Sequence, residues 1–498
     1  MTHFRPPGFV ALAAAALALA ACTVGPDFQR PAAPDVKRYT AAADAGPAAD
    51  AASGAAAAPA VATAAGAAAA GPQVDFGGRP QPAWWQLFGS TELDDVVRQA
   101  VAGNPGLVSA RATLAQAGEL ATAASGNRYP QVSLNAGAGR QQYGAQFLGS
   151  FKLAPFTAFG AGPAVSYVLD YDGGARRTDE QAAAQVQYQQ SQLDAAYLAL
   201  TGNVVLQAIA VAATRAQIDA VQQMLTEDAD NLRLVQSAFD AGAVSRADLV
   251  SARSQQAADQ TLLPPLRQQL SEARHRLSLL SGNAPAQWVP PDFELAHLAL
   301  PAQVPVSLPS DLVHQRPDIL SAEAQLHAAT AAVGIATANL YPRIQLTAGI
   351  SQQALRPEAL FNGASTAWSL LSTLSAPLFD GGTRRAEKRA AIDAMQARAA
   401  DYRQTVLSAF GQVADLLDAL QHDAQEVAAE TASVNAAQDN IGLARASYAA
   451  GNTGLLQLLD AQRQHEQAQL GLLRARAHQY RDIAQLLLAM GGSLPERS

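Results

Sequence analysis

The chain has 498 residues and is about half hydrophobic, with only 15% charged residues; alanine supplies much of the apolar share and favours long, closely packed helices over thick cores. A formal net charge of −8 argues against a nucleic-acid partner. Length alone would allow several globular domains, but the chain repeats itself, so length is the wrong guide.

The N-terminus reads as a targeting segment. His3 and Arg5 make a weakly basic start, and Phe9 to Ala21 is an apolar run too short to span a bilayer. It ends in Leu19-Ala20-Ala21-Cys22, the pattern of a bacterial lipoprotein signal. Residues 1–21 are then a signal peptide, and Cys22, the sole cysteine, becomes a mature N-terminus carrying an N-acyl chain and an S-diacylglycerol. Several acyl chains on one residue anchor firmly, and no intrachain disulfide is available. Thr23, in place of the Asp typical of inner-membrane retention, favours the outer membrane. Beyond residue 22 no run reads as a transmembrane helix. Residues 22–82 form the lipidated segment and a linker whose alanine-rich stretch, Ala41 to Gly71, is of low complexity and is assigned no fold.

From residue 83 the chain says the same thing twice. "FDAGAVSRADLVSARSQ" from Phe239 matches "YAAGNTGLLQLLDAQRQ" from Tyr448, and the offset of 209 also links Gly282 to Gly491. "NRYPQVSLNAG" from Asn127 matches "NLYPRIQLTAG" from Asn339, and "DYDGGARR" from Asp170 matches "LFDGGTRR" from Leu378. The first repeat spans 83–300 and the second 301–492, followed by a tail at 493–498. Each reads as helix, strand, strand, long helix, glycine turn, helix: one structural unit, duplicated.

Both long helices carry heptads. Ile392, Ala399, Val406, Val413, Leu420, Val427, Val434, Ile441 and Tyr448 recur every seventh residue, and Tyr197, Val204, Val211, Ile218, Leu225, Leu232 and Phe239 repeat this in the first copy. About 65 helical residues rise nearly 100 Å at ~1.5 Å each, a length suited to crossing a periplasm. The paired strands alternate: Ile344, Leu346, Ala348 and Ile350 oppose Gln345, Thr347, Gly349 and Ser351, while Val132, Leu134, Ala136 and Ala138 oppose Ser133, Asn135, Gly137 and Gly139. Such a pattern fits a membrane barrel strand with a wet lumen; it also serves an ordinary amphipathic strand of a soluble sheet. Return strands are expected around Phe159 to Leu169 and Trp368 to Leu378. Four strands cannot close a barrel, and lipid does not tolerate an open edge. If these are membrane strands, identical chains must share one barrel.

Together, "CTVGPDFQRP" from Cys22, "WWQLFGSTELDDVVRQAVAGNP" from Trp84, "RPDILSAEAQLHAATAAVGIATANLYPRIQL" from Arg316, "PLFDGGTRR" from Pro377 and "LLDAQR" from Leu458 make the chain resemble the outer-membrane efflux proteins, TolC-like channels, in the lipoprotein branch that serves resistance-nodulation-division pumps. The resemblance implies a mainly α protein with a membrane β-barrel: a homotrimer with a twelve-stranded outer-membrane barrel, four strands per chain, continued by a periplasmic coiled-coil tunnel. It also implies a periplasmic adaptor, an inner-membrane pump, no cofactor beyond the lipid, and a passive exit duct for drugs or other small toxic compounds. Gly242 and Gly451, with Phe239 and Tyr448, would form the tip turns that dock the adaptor. Asp248 and Asp460 match positions that line the constriction, where threefold symmetry makes carboxylate rings that favour cations; each could equally be a solvated helix-face acid. Gln457 stands where relatives can carry a further acid. Pro264-Pro265 should kink the returning helix of the first copy, near the belt, whereas the second copy has Leu473-Arg474.

No catalytic constellation emerges. "HEQAQ" from His465 lacks the second His of a zinc helix, and "DYDGG" from Asp170 lacks the acid that would complete a calcium loop. Two rivals stand: an exit duct for type I protein secretion, and a lipid-anchored coiled-coil adaptor or scaffold.

Overall fold

The computed structural model describes residues 23–36, 38–40, 72–78, 81–142 and 154–492. The signal peptide, Cys22, the alanine-rich linker and the tail 493–498 lie outside the described residues. The chain divides into two compact units, each drawing on both sequence repeats.

One unit takes the described parts of Met1–Pro31 and Ala112–Gln190, with Ser321–Arg403. It holds an antiparallel sheet of β2 (Gln131–Gln141), β3 (Phe156–Val168), β5 (Arg343–Ala354) and β6 (Thr366–Ser375), in the order β2-β3-β5-β6. The register aligns the alternation of all four strands. Leu134 stands opposite Pro163 and Val132 opposite Val165; Val165 faces Ala348 and Tyr167 faces Leu346; Ile350 faces Trp368 and Ile344 faces Leu374. Successive side chains on a strand point to opposite faces, so these residues form one apolar face. Ser133, Asn135, Ser166, Thr347 and Ser369 share the other. Val132, Leu134, Trp368 and Leu370 are all more than 70% exposed in the single chain, so the apolar face is uncovered. The sheet does not close on itself: β2 and β6 are edges.

The other unit takes the described parts of Ala32–Arg111, Ser191–Leu320 and Gln404–Ser498. Here Trp84, Phe88, Leu93, Val97, Leu277, Ile483, Leu486 and Leu487 are almost wholly buried. Helix α1 (Thr91–Gly103) begins on Ser90, whose hydroxyl accepts from the Leu93 amide, and Asp94 accepts from the Trp85 indole at 2.9 Å. A pair of four-residue strands, β1 (Gln73–Phe76) and β4 (Gln303–Val306), runs parallel. Neither is legible as a strand in the sequence, because four residues, with Pro72 just before β1 and Pro305 inside β4, give no period to read.

The helices follow the duplicated order. In the first copy α1 is followed by α2 (Pro105–Gly126), α3 (Gly174–Asp240), α4 (Arg246–Gln260) and α5 (Leu263–Leu280). A one-turn helix, α6 (Pro309–Leu312), precedes α7 (Pro317–Ala338), α8 (Thr383–Ala449) and α9 (Leu455–Ala489) of the second copy. Both long helices, α3 and α8, have 67 residues.

One expectation needs correction. One window of α3 is apolar enough to cross a membrane by composition, contrary to the sequence reading, and half of it is buried inside the protein; runs such as Val204-Val205 and Ile209 to Ala213 raise its hydropathy while packing inward. Pro264-Pro265 marks an interruption of the returning helix, across which Thr261 and Leu262 keep right-handed helical dihedrals. The helix ends at Gln260 and a new one starts at Leu263, with the prolines in its first turn. Proline is tolerated there because the first-turn amides lack intrahelical acceptors anyway. The counterpart α9 runs unbroken for 35 residues.

Candidate functional site

The two glycine turns are built alike. At the end of α3 the Gly242 amide donates to the Phe239 carbonyl (2.9 Å) and the Ala243 amide to Ala238 (2.8 Å). At the end of α8 the Gly451 amide donates to Tyr448 and the Asn452 amide to Ser447, both at 3.0 Å. These are paired Schellman closures, with φ of +77° at Gly242 and +69° at Gly451. A Cβ added at either would meet nothing within 4 Å, so backbone conformation alone selects glycine. The aromatic residue three positions earlier supplies the accepting carbonyl in both turns. Their side chains differ: Phe239 packs on a core of Val235, Leu249, Ala252 and Leu455, whereas Tyr448 is 38% exposed.

The two turns meet. Leu455, Leu458 and Leu459 of α9 pack with Val235 and Leu249 of the first copy, and Leu458 also packs on Ile441, Ala444 and Ala461. A shallow cavity is lined by Gly242, Ala243, Ser245 and Asp248 from one turn and by Gly454 and Leu455 from the other.

The two acids expected at the gate are both engaged locally. Asp248 completes a capping box at the start of α4: its carboxylate accepts from the Ser245 amide (2.9 Å) and hydroxyl (2.8 Å), while Ser245 Oγ accepts from the Asp248 amide. The Ser-x-x-Asp spacing, Ser245 to Asp248, is a sequence signal for this role. Asp460 accepts from Arg463 and from Gln464 (2.9 Å), and its side chain is 47% exposed. Arg463 places a compensating charge beside it.

A second constellation was not legible from the sequence. Residues 23–30, directly after Cys22, form a strap over α3 and α7. The Val24 amide donates to the Asp172 carbonyl (3.0 Å). Gly25 sits so close to Gly334 that an added Cβ would lie 2.5 Å from its Cα. Arg177, only 5% exposed at its side chain, donates to Val24 O and to Asp27 (2.6 Å), and also pairs with Glu180. Phe28 stacks on His327 with centroids 4.3 Å apart, and Arg30 pairs with Glu323 at 2.7 Å. The partners lie roughly 150 to 310 residues from the strap, beyond the reach of any local motif.

Among the described residues no group of three or more His, Cys, Asp or Glu is placed to hold a metal ion.

Comparison with known proteins matches these features. A family model described as outer membrane efflux protein fits twice, at residues 96–283 and 308–492. The pyoverdine export outer membrane protein OpmQ of Pseudomonas putida is 30% identical over 83% of this chain and 88% of its own length. The outer membrane protein OprJ of Pseudomonas aeruginosa is 29% identical over 99% and 97%. Among solved structures, the outer-membrane channel OprN superposes with a TM-score of 0.84 at 27% identity, covering 95% of this chain and 99% of that one.

Proposed function

We propose, because the chain belongs to the outer membrane efflux protein family, that it is the passive outer-membrane exit duct of a tripartite efflux system. In that system a periplasmic adaptor docks on the tip turns and an inner-membrane pump of the resistance-nodulation-division type supplies the cargo. The cargo class is drugs or other small toxic compounds.

One observation carries this reading: a four-stranded sheet with a continuous, uncovered apolar face and two free edges. An apolar face of that extent needs lipid, and free edges need partners. Because the four strands alternate in direction, β6 of one copy meets β2 of the next in the antiparallel sense. Three copies then close twelve strands into an aqueous channel. The strap supports lipid anchoring at Cys22, since Thr23 is held against Gly173, five residues beyond the end of β3.

The test is the mass of the detergent-extracted protein together with the drug susceptibility of cells lacking it. Three chains per particle and increased susceptibility are expected. A folded monomer in detergent overturns the barrel; unchanged susceptibility with loss of an exported protein assigns the duct to type I secretion instead.

A further inference from the structure

Where α3, α4 and α9 pack together, the apolar heptad positions are interrupted by acids. Val221, Asp228 and Val235 are seven apart on α3; Ala252, Asp259 and Leu266 are seven apart along α4 and α5; Leu459, Glu466 and Leu473 are seven apart on α9. The flanking layers are hydrophobic. On the tip side, Val235, Leu249, Ala252 and Leu455 are buried together; on the other, Val221, Met224 and Leu470 pack with Leu263 and Leu266. Between them lie Asp228, Asp259, Glu466 and a half-buried amide pair, in which Asn231 donates to Gln462 at 2.7 Å.

This layer is short of donors. Asp259 and Glu466 are each only 9% exposed. Asp259 accepts from Gln255 at 2.7 Å, whereas the buried Oδ2 of Asp228 has no hydrogen-bond partner, although the Asp259 carboxyl is within hydrogen-bonding reach. A buried acceptor that faces another acceptor is satisfied by a proton. The charged groups that bear on Glu466 are Asp228 and Glu227 of α3 and Asp259 of α4, all acids. From α5 the first turn presents Leu263 and Leu266. His465, beside Glu466 on α9, is hydrogen-bonded to Gln469, and Arg463 is paired with Asp460. Burial, and then Asp228, Glu227 and Asp259, push the Glu466 carboxyl up to about 8. Burial, and then Asp259, push Asp228 to about 6. The layer also abuts a joint: Asp259 is the penultimate residue of α4, one turn before the Pro-Pro start of α5.

We propose that Asp228, Asp259 and Glu466 form a proton-linked latch that holds the α4–α5 joint against α3 and α9. With Asp228 and Glu466 protonated, both can donate hydrogen bonds within the layer, Asp259 among the acceptors, and the joint stays packed. When those two lose their protons, like charges gather in an apolar bundle, and the joint is the weakest place for it to part. The packed form binds more protons than the parted one between the ordinary carboxylate range and about pH 8. Raising the pH through that window therefore favours parting, by about tenfold per pH unit for each proton released. A neutral polar layer that merely sets helix register has no such pH dependence.

Hydrogen exchange on the full-length protein in detergent tests this between pH 6 and pH 8. Rates for residues 256–266 are corrected for intrinsic exchange and compared with residues 204–213 of α3, whose core carries no acid. The opening constant of the joint should rise at least tenfold while the reference segment stays level. Glu466→Gln and, separately, Asp259→Asn should each flatten that rise and leave the joint better protected at pH 8. A joint that tracks the reference segment in the parent protein overturns the proposal without any variant. So does an undiminished rise in both variants.

Discussion

At the scale of single residues, backbone geometry and charge pairing separate positions that look alike in sequence. Gly242 and Gly451 need a left-handed backbone but have open space around them. A β-branched residue at Gly451 therefore costs about 1–2 kcal/mol through conformation alone, and asparagine less. Gly451→Val should lower drug resistance in cells while the amount of assembled protein, read on a blot, stays unchanged. Asp460 carries Arg463 beside it, so as a pore-lining acid it starts partly neutralised. Arg463→Ala should raise cation preference in planar-bilayer recordings, and Asp460→Ala should lower it by a smaller amount. Reversal potentials identical to the parent in both variants would remove Asp460 from the lumen wall. Arg177 is itself buried, but Asp27 is 82% exposed, so removing the guanidinium leaves that carboxylate to water and loses chiefly the hydrogen bonds that tie the strap down. Arg177→Ala should release the strap, seen as faster protease cleavage between residues 23 and 40.

At the scale of elements, the sequence carried what is periodic and lost what is tertiary. The heptads of α3 and α8 and the alternation of β2 and β5 were readable because each pattern lies within one segment. The register then joined all four strands into a single two-faced sheet, as alternation requires. The strap was invisible because Phe28 meets His327 and Arg30 meets Glu323 across the sequence, and no spacing encodes such pairs. Asp248 carries a local signal beside a distant one: the Ser-x-x-Asp spacing encodes its capping box, whereas its place at the constriction is implied by the family resemblance alone. The proline pair is visible in the sequence, but the place where one helix ends and the next restarts is not: Gln260 closes the first, and the prolines stand in the first turn of the second. Replacing Pro264-Pro265 by Leu-Arg, as in the second copy, should fuse α4 and α5. The measurement is exchange protection of residues 260–265, which should rise to that of residues 469–474 in α9.

At the scale of the whole molecule, membrane attachment is proposed to come from two independent sources: the lipid on Cys22 and the apolar face of the shared barrel. Cys22→Ser should abolish fatty-acid labelling and leave part of the drug resistance, since the barrel still inserts. Persistent labelling would place the lipid elsewhere. The duplication has a further mechanical result. One copy returns from its tip through a joint at Thr261-Leu262, and the other through a continuous 35-residue helix. In the trimer proposed above, six returning arms alternate around the axis, every second one hinged. A ring of six equal arms would dilate evenly. A ring of alternating compliance has only threefold mechanical symmetry, so its softest deformation moves three arms while three stand still, and the aperture widens as a triangle.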